Sequence, residues 1–406
     1  MKKAEVLKKR RIYLATGVFA MLFSGVLYAW SILKVPFAEV FSWSAQSLAL
    51  NFTLTMCFFC LGAFAGSLIC KKIGPGGSLF ASGVLVGLGF VITGLLNETM
   101  LWLLYISYAI LAGSGIGISY NVVVSTVNAW FPDKKGLCSG CLMMGFGIST
   151  LLLGEVISKL FENSSVGFGK TYIILGIVIA LVIIIAGLIL KLPAKGDELP
   201  SAKEAALSKE AFETRDFTTV EMLKNFSFIK SFVALTFIAA AGNSVISFAR
   251  DLVLSVDATP SLATTLVGVL AIFNGVGRVL TGLVYDKLGR RITMISASVL
   301  TVFAASVALA AVKISSLPVM IAGLCLTGIS YGSCPTITSA FTASFYGRKH
   351  FSTNYSIANF NLIFASFIAN AANSLLSSTG GYSMPFTMLL ILSVVALLLN
   401  ISIKRP

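Results

Sequence analysis

Gly282-Leu283-Val284-Tyr285-Asp286-Lys287-Leu288-Gly289-Arg290-Arg291 is a short charged turn set between two long apolar runs, near 262–285 and 292–312. A run of about 20 apolar residues, rising about 1.5 Å each, crosses the hydrocarbon core of a bilayer as a helix. The turn therefore reads as the link of a transmembrane hairpin, with its basic residues gathered at one membrane face. The same pattern extends outward over the whole chain. Ten further runs lie near 12–33, 45–70, 77–96, 101–128, 137–160, 171–190, 229–250, 317–345, 351–378 and 384–403. In chain order these are spans 1 to 12. Of the 406 residues, 57% are hydrophobic and 11% charged, whereas a soluble domain carries about a quarter charged residues. The chain is thus an all-α polytopic membrane protein. A β-barrel would show short alternating segments, and these runs are continuous.

The basic residues set the orientation. Lys2, Lys3, Lys8, Lys9, Arg10 and Arg11 precede span 1, and later clusters are Lys71-Lys72, Lys134-Lys135, the 191–230 connection, Lys287 with Arg290-Arg291, Arg348-Lys349 and Lys404-Arg405. These clusters hold 24 of the 30 basic residues and all fall on one side. The Lys/Arg excess of cytoplasmic loops places both termini inside. The first apolar run is longer than a signal peptide's and no small-residue cleavage site closes it, so it is expected to stay as a helix. The formal charge of +14 is then membrane topology; nucleic acid is not an expected partner, because the charges share no soluble face. Cys57/Cys60 and Cys138/Cys141 have CxxC spacing, but the chain has one histidine, His350, and neither a metal nor another cofactor is expected.

One hydrophilic stretch divides the chain. The expected organisation is an N-terminal six-helix half, 1–190, a cytoplasmic linker, 191–228, and a C-terminal six-helix half, 229–406. Gly117-Ile118-Ser119-Tyr120 in span 4 recurs as Gly328-Ile329-Ser330-Tyr331 in span 10, an offset of 211. Matching positions in two six-span halves argue for a duplication, and parallel repeats of this kind place substrate between the halves near mid-membrane.

The opening turn matches the G-x-x-x-D-[RK]-x-G-[RK]-[RK] signature of the major facilitator superfamily, which the chain resembles over its full length. The signature implies a latch for one access state. Its first-half counterpart, Ser67 to Gly74, lacks the first glycine and the aspartate. Tyr28-Ala29-Trp30-Ser31, Trp130-Phe131-Pro132-Asp133-Lys134-Lys135-Gly136, Gly145-Phe146-Gly147, Phe273-Asn274-Gly275-Val276-Gly277-Arg278 and Asn354-Tyr355 resemble the oxalate/formate antiporter family, relatives of the monocarboxylate transporters. That resemblance implies a twelve-helix alternating-access carrier of a small organic anion.

Arg278 is the one basic residue well inside a span, about 10 Å from its cytoplasmic end. A guanidinium in hydrocarbon costs at least about 2.5 kcal/mol, and intramembrane charges usually face a cavity. Its planar fork suits a carboxylate; snorkelling or a structural pair is the competing reading. Asn274 lies at i−4 on the same side. In proton-coupled monocarboxylate carriers of the resembled family an acid can occupy this position, whereas an amide carries no proton. Tyr120 and Tyr331 are expected to face each other across the cavity, against the alternative of plain packing. Tyr28, Phe146 and Asn361 complete the expected substrate site. Glu155 is either a coupling group or an interfacial carboxylate. Oxalate carriers of the family bring a lysine to this part of span 11, whereas 354–373 contains no Lys or Arg. One cation suggests one carboxylate: lactate, pyruvate or formate by proton symport or anion exchange, rather than oxalate. A drug or cation exporter would need a membrane-embedded acid, a membrane enzyme would need ligands or acid pairs that the spans lack, and a sensor on the same scaffold leaves no sequence mark. The expected protein is a monomeric, multi-pass carrier of the cytoplasmic membrane and not an enzyme.

Overall fold

The computed structural model describes residues 3–194, 199 and 215–404. Among them every regular element is helical. Ten helices are long and apolar enough to cross a membrane, two fewer than the runs counted in the sequence. The difference lies in two hairpins. Ala45–Gly94 and Pro260–Lys313 each run as one helix through two spans, and each is broken at a glycine of left-handed φ: Gly74 (φ 73°) and Gly289 (φ 75°). Only a residue without Cβ takes that conformation freely. Ser78 and Thr293, four residues beyond, return hydroxyl bonds to the Gly74 and Gly289 carbonyls at 2.8 and 2.7 Å. Resolving both breaks gives the twelve-helix fold.

Contacts divide the chain into two compact units, Met1–Asp133 with Gly145–Lys209, and Lys134–Met144 with Glu210–Pro406. Span 5 therefore changes unit within its own length. The duplication is visible in the packing of each. In the first, an added Cβ on Gly117 would strike the Phe59 carbonyl, and one on Gly66 would lie 2.9 Å from Ile118 Cα. In the second, Gly328 would meet the Leu270 carbonyl at 2.7 Å and Gly277 would meet Ile329 Cα at 2.7 Å. Both contacts recur at the offset of 211 read from the sequence, so the repeated glycines are the close-approach points of spans 2 and 4 and of spans 8 and 10. Gly83 and Gly87 pack likewise on Ala180 of span 6.

Two polar clusters sit at inner helix ends. In the first unit, Arg10 is 4% exposed, lies 4.3 Å from the Phe131 ring and pairs with Asp133 at 2.5 Å. Trp130 packs edge-on to Tyr13 and donates to the Lys191 carbonyl at 2.7 Å. In the second unit, the end of the stretch expected to be a solvated linker is docked. Asp216 accepts from the Arg348 and Lys349 N–H groups at 2.8 and 3.0 Å, and Phe217 packs edge-on to Tyr346. Thr219 donates to the buried Asn354 at 2.8 Å, and Asn354 donates back to the Phe217 carbonyl at 3.0 Å. The short helix Thr219–Leu223 that follows opens on a capping box of Thr218 and Glu221. Hydrogen bonds from Thr218 hold the Glu221 carboxyl below its ordinary range.

Candidate functional site

Spans 1, 4, 5 and 11 are not regular. Span 1 tightens to a 3-10 turn at Gly25–Ala29, span 4 widens to a π-helix at Tyr105–Ala112, span 5 stops at Gly147 and restarts at Ser149, and span 11 stops at Ala358 and restarts at Asn361. Interrupted helices within the membrane free backbone groups and are typical of substrate sites. The sequence expectation contained none of these breaks.

In the first unit the breaks of spans 1 and 5 touch: a Cβ on Gly25 would strike the Phe146 carbonyl and come within 2.6 Å of Ser149 Cβ. Phe146 is the hub. Tyr28 meets its ring edge-on at 5.3 Å and Tyr120 at 5.1 Å, while Phe59 closes the cluster on Tyr120. Three of the expected site residues, Tyr28, Tyr120 and Phe146, are therefore neighbours. Ser24 and Ser119 bond at 3.1 Å.

In the second unit Arg278 is 1% exposed, among the largest fully buried side chains of the described residues. It does not snorkel. Its Nε donates to Asn274 Oδ1 at 3.0 Å and its Nη1 to the Met143 carbonyl at 2.8 Å, while Nη2 is buried without a hydrogen-bond partner. Asn274 is 5% exposed. These two neutral oxygens are the acceptors of Arg278 among the described residues, so no carboxylate compensates its charge. An unpartnered buried donor on a cation is a costly feature to keep without a ligand. Met143 belongs to the inner end of span 5, and its carbonyl is a backbone atom that side-chain patterns cannot reveal. The two glycines after it, Gly145 and Gly147, were the available signal.

Tyr331, the repeat partner of Tyr120, is 2% exposed and packs against Gly242 of span 7, where a Cβ would strike its side chain. Asn361 opens the second segment of span 11, 1% exposed, with Oδ1 unpartnered. The structure joins Asn274 to Arg278 by a hydrogen bond. Glu155 is an exposed carboxylate, 74% open at its side chain, paired with Lys159 at 2.7 Å one turn on. That is the surface reading rather than the coupling one.

The signature turn is engaged as a helix cap. Asp286 accepts from the N–H groups of Gly136 and Leu137 at 2.8 and 2.7 Å, at the N-terminus of Lys135–Gly147, where a carboxylate also meets the positive end of the helix dipole. Gly282 and Gly136 bring the two backbones together: a Cβ on either would strike the carbonyl of the other. Higher up, a Cβ on Gly140 would lie 2.6 Å from the Arg278 carbonyl, and Ser139 bonds Ser339 of span 10 at 2.9 Å. The inner end of span 5 is thus fastened by a ladder running from Asp286 up to Arg278.

Comparison with known proteins agrees with this architecture. Residues 12–235 and 232–406 both match the model of the Major Facilitator Superfamily. The oxalate:formate antiporter of Oxalobacter formigenes is 26% identical over 397 residues, 96% of this chain and 90% of that protein. Mouse monocarboxylate transporter 12 is 25% identical over 380 residues, 88% of this chain and 77% of that protein. Among solved structures, the proton:xylose symporter XylE superposes with a TM-score of 0.76 over 98% of this chain and 95% of that one, at 12% identity, a likeness of fold alone. With the signature turn, the duplicated helix packing and both family matches in agreement, the chain belongs to the Major Facilitator Superfamily.

Proposed function

We propose that the protein is a secondary carrier of a small monocarboxylate of the lactate, pyruvate or formate type across the cell membrane, working by alternating access and by anion exchange. The observation that carries the reading is Arg278, a fully buried guanidinium held by two neutral acceptors with one nitrogen unpartnered. A carboxylate supplies the missing charge and accepts from that nitrogen. Relatives named for oxalate:formate exchange and monocarboxylate transport support an organic anion. The lack of any Lys or Arg from 354 to 373 favours one carboxylate over two. Exchange is favoured over proton symport because Arg278 has no carboxylate beside it among the described residues and Glu155 pairs with Lys159. Within the first unit, Tyr28, Tyr120 and Phe146 form a cluster of apolar and hydroxyl-bearing side chains.

Purified protein in proteoliposomes loaded with formate, lactate or oxalate tests this directly. The expected result is saturable uptake of a labelled monocarboxylate that requires trans-anion and is lost in Arg278→Ala. Uptake driven by a pH gradient in vesicles without internal anion would replace exchange by symport; flux unchanged in Arg278→Ala would end the reading.

A further inference from the structure

Arg278 has five N–H donors, and the way they are occupied restricts how an anion can bind. Nε carries a single hydrogen, and Asn274 Oδ1 holds it at 3.0 Å. The side-on fork made of Nε and one terminal nitrogen is therefore closed. The fork left to a carboxylate is Nη1 with Nη2, and Nη1 already donates one of its two hydrogens to the Met143 carbonyl at 2.8 Å. An incoming carboxylate brings a charged oxygen onto the nitrogen that holds this neutral one. The two oxygens repel, and charge-assisted bonds are about twice as strong as neutral ones.

Met143 is the upper rung of the ladder on the inner end of span 5. Below it come the close approach of Gly140 to Arg278, the Ser139–Ser339 bond and the Asp286 cap on Gly136 and Leu137. Tyr355 adds a weak hydroxyl contact to Met143 Sδ at 4.0 Å. Residues Lys134–Met144 group with the second unit, whereas span 5 from Gly145 onward groups with the first.

We infer that the Met143 carbonyl is an internal competitor of the transported carboxylate. It stands in for the anion on Arg278 Nη1 in the empty protein, and anion binding releases the inner end of span 5 from spans 8 and 10. Met143 is thereby a positioning residue, acting through its backbone, and Asn274 selects the fork at which the competition occurs. This rests on the carboxylate reading of Arg278 and adds what the carboxylate displaces.

Native cysteines report on it without mutation. Cys138 lies on the fastened segment and is 1% exposed, whereas Cys60 in span 2 is buried at 0%. The experiment follows alkylation of both by N-ethylmaleimide, read by mass spectrometry on the full-length protein in proteoliposomes, with and without saturating formate, L-lactate or oxalate. A transported anion should speed Cys138 labelling by about tenfold, the effect of one charge-assisted bond changing partner, and leave Cys60 unchanged. Arg278→Ala should raise Cys138 labelling without anion and abolish the response. Arg278→Lys, which keeps the charge but not the fork, covers the case in which the alanine variant does not fold. A Ser139→Cys, Ser339→Cys protein gives a second readout: its disulfide should form more slowly when the anion is bound. If an anion is exchanged in an Arg278-dependent way while Cys138 labelling and cross-linking stay constant, the competition is overturned and the carboxylate site stands. If no anion is exchanged or bound, the site reading itself fails and the competition with it.

Discussion

Placing a carboxylate at Asn274 tests the electrostatics of the site most sharply. Asn274→Asp keeps the size of the side chain and puts a negative oxygen where a neutral one sits 3.0 Å from Arg278 Nε. Opposite charges about 4 Å apart attract by about 4 kcal/mol at an effective dielectric constant near 20. A net cation becomes a neutral pair, so a transported anion loses about that much attraction, about a thousandfold in affinity. Protonation removes the compensation, so anion binding and proton uptake become coupled. The expected phenotype is loss of exchange near neutral pH with recovery as the medium is acidified. Asn274→Ala, which removes only the orienting bond, should show a smaller loss and no new pH dependence. Initial rates of labelled formate or L-lactate exchange in proteoliposomes, at about pH 7.5 and in steps down to about pH 4.5 toward the carboxylate range, give the comparison. Undiminished neutral-pH exchange in Asn274→Asp, at equal protein content, would refute the claim that the charge of Arg278 holds the anion.

Removing one member of the buried Arg10–Asp133 pair leaves the other charge uncompensated; Arg10→Ala or Asp133→Ala should each cost about 3–5 kcal/mol, seen as a lowered Tm in detergent, and replacing both by apolar residues should recover much of it. Gly282→Val places a side chain against the Gly136 carbonyl and should separate the inner ends of spans 5 and 8, read as faster alkylation of Cys138. Asn354→Ala removes the buried acceptor of Thr219 and the donor to the Phe217 carbonyl, and amide hydrogen exchange over 215–225 should rise. The Glu221 carboxyl is held below its usual range by Thr218, so its contribution to the same segment is present at neutral pH and lost as pH falls through that lowered range; Glu221→Gln should show the loosening at all pH values.

Much of the fold was legible because hydrocarbon leaves little choice. Long apolar runs must be helices, and the Gly-Ile-Ser-Tyr repeat marked a duplication whose glycines the structure then places at packing seams: Gly117 on Phe59 and Gly328 on Leu270. What failed to show were features built from backbone. The Met143 carbonyl, the breaks at Ile148 and Asn359, and the capping of span 5 by Asp286 leave no hydropathy signal. Arg10 counted as one more inside charge, although it is buried on Asp133 and Phe131. The segment from Arg215 to Asn225 reads as polar linker by composition, yet Phe217 and Met222 anchor it, with Met222 fully buried. At the site, spacing gave Asn274 with Arg278 because one helical turn decides it. The repeated tyrosines pack on different neighbours, Tyr331 against Gly242 and Tyr120 against Phe59 and Phe146, which no symmetry of the motif could reveal.

The two units repeat each other in packing and differ in charge. At the 211 offset, Gly277 corresponds to Gly66, so Arg278 stands where the first unit has Ser67 and Asn274 where it has Ala63. Ser67 is buried and donates its hydroxyl to the Phe64 carbonyl one turn back, a neutral arrangement. From Gly66 to Gly74 there are eight residues, and from Gly277 to Gly289 there are twelve. The charged span is one helical turn longer, and that turn carries Asp286 to its cap on span 5. Cation and cap therefore belong to one half of the duplication and act on the same neighbouring segment. An empty carrier changing state would have to free Arg278 Nη1 from Met143 with no anion to replace it, leaving a guanidinium in a low-dielectric interior with a second nitrogen unpaired. A carrier holding a monocarboxylate makes the same change with the charge neutralised. On this reading the empty return is slow and the loaded one fast, which makes exchange the expected mode.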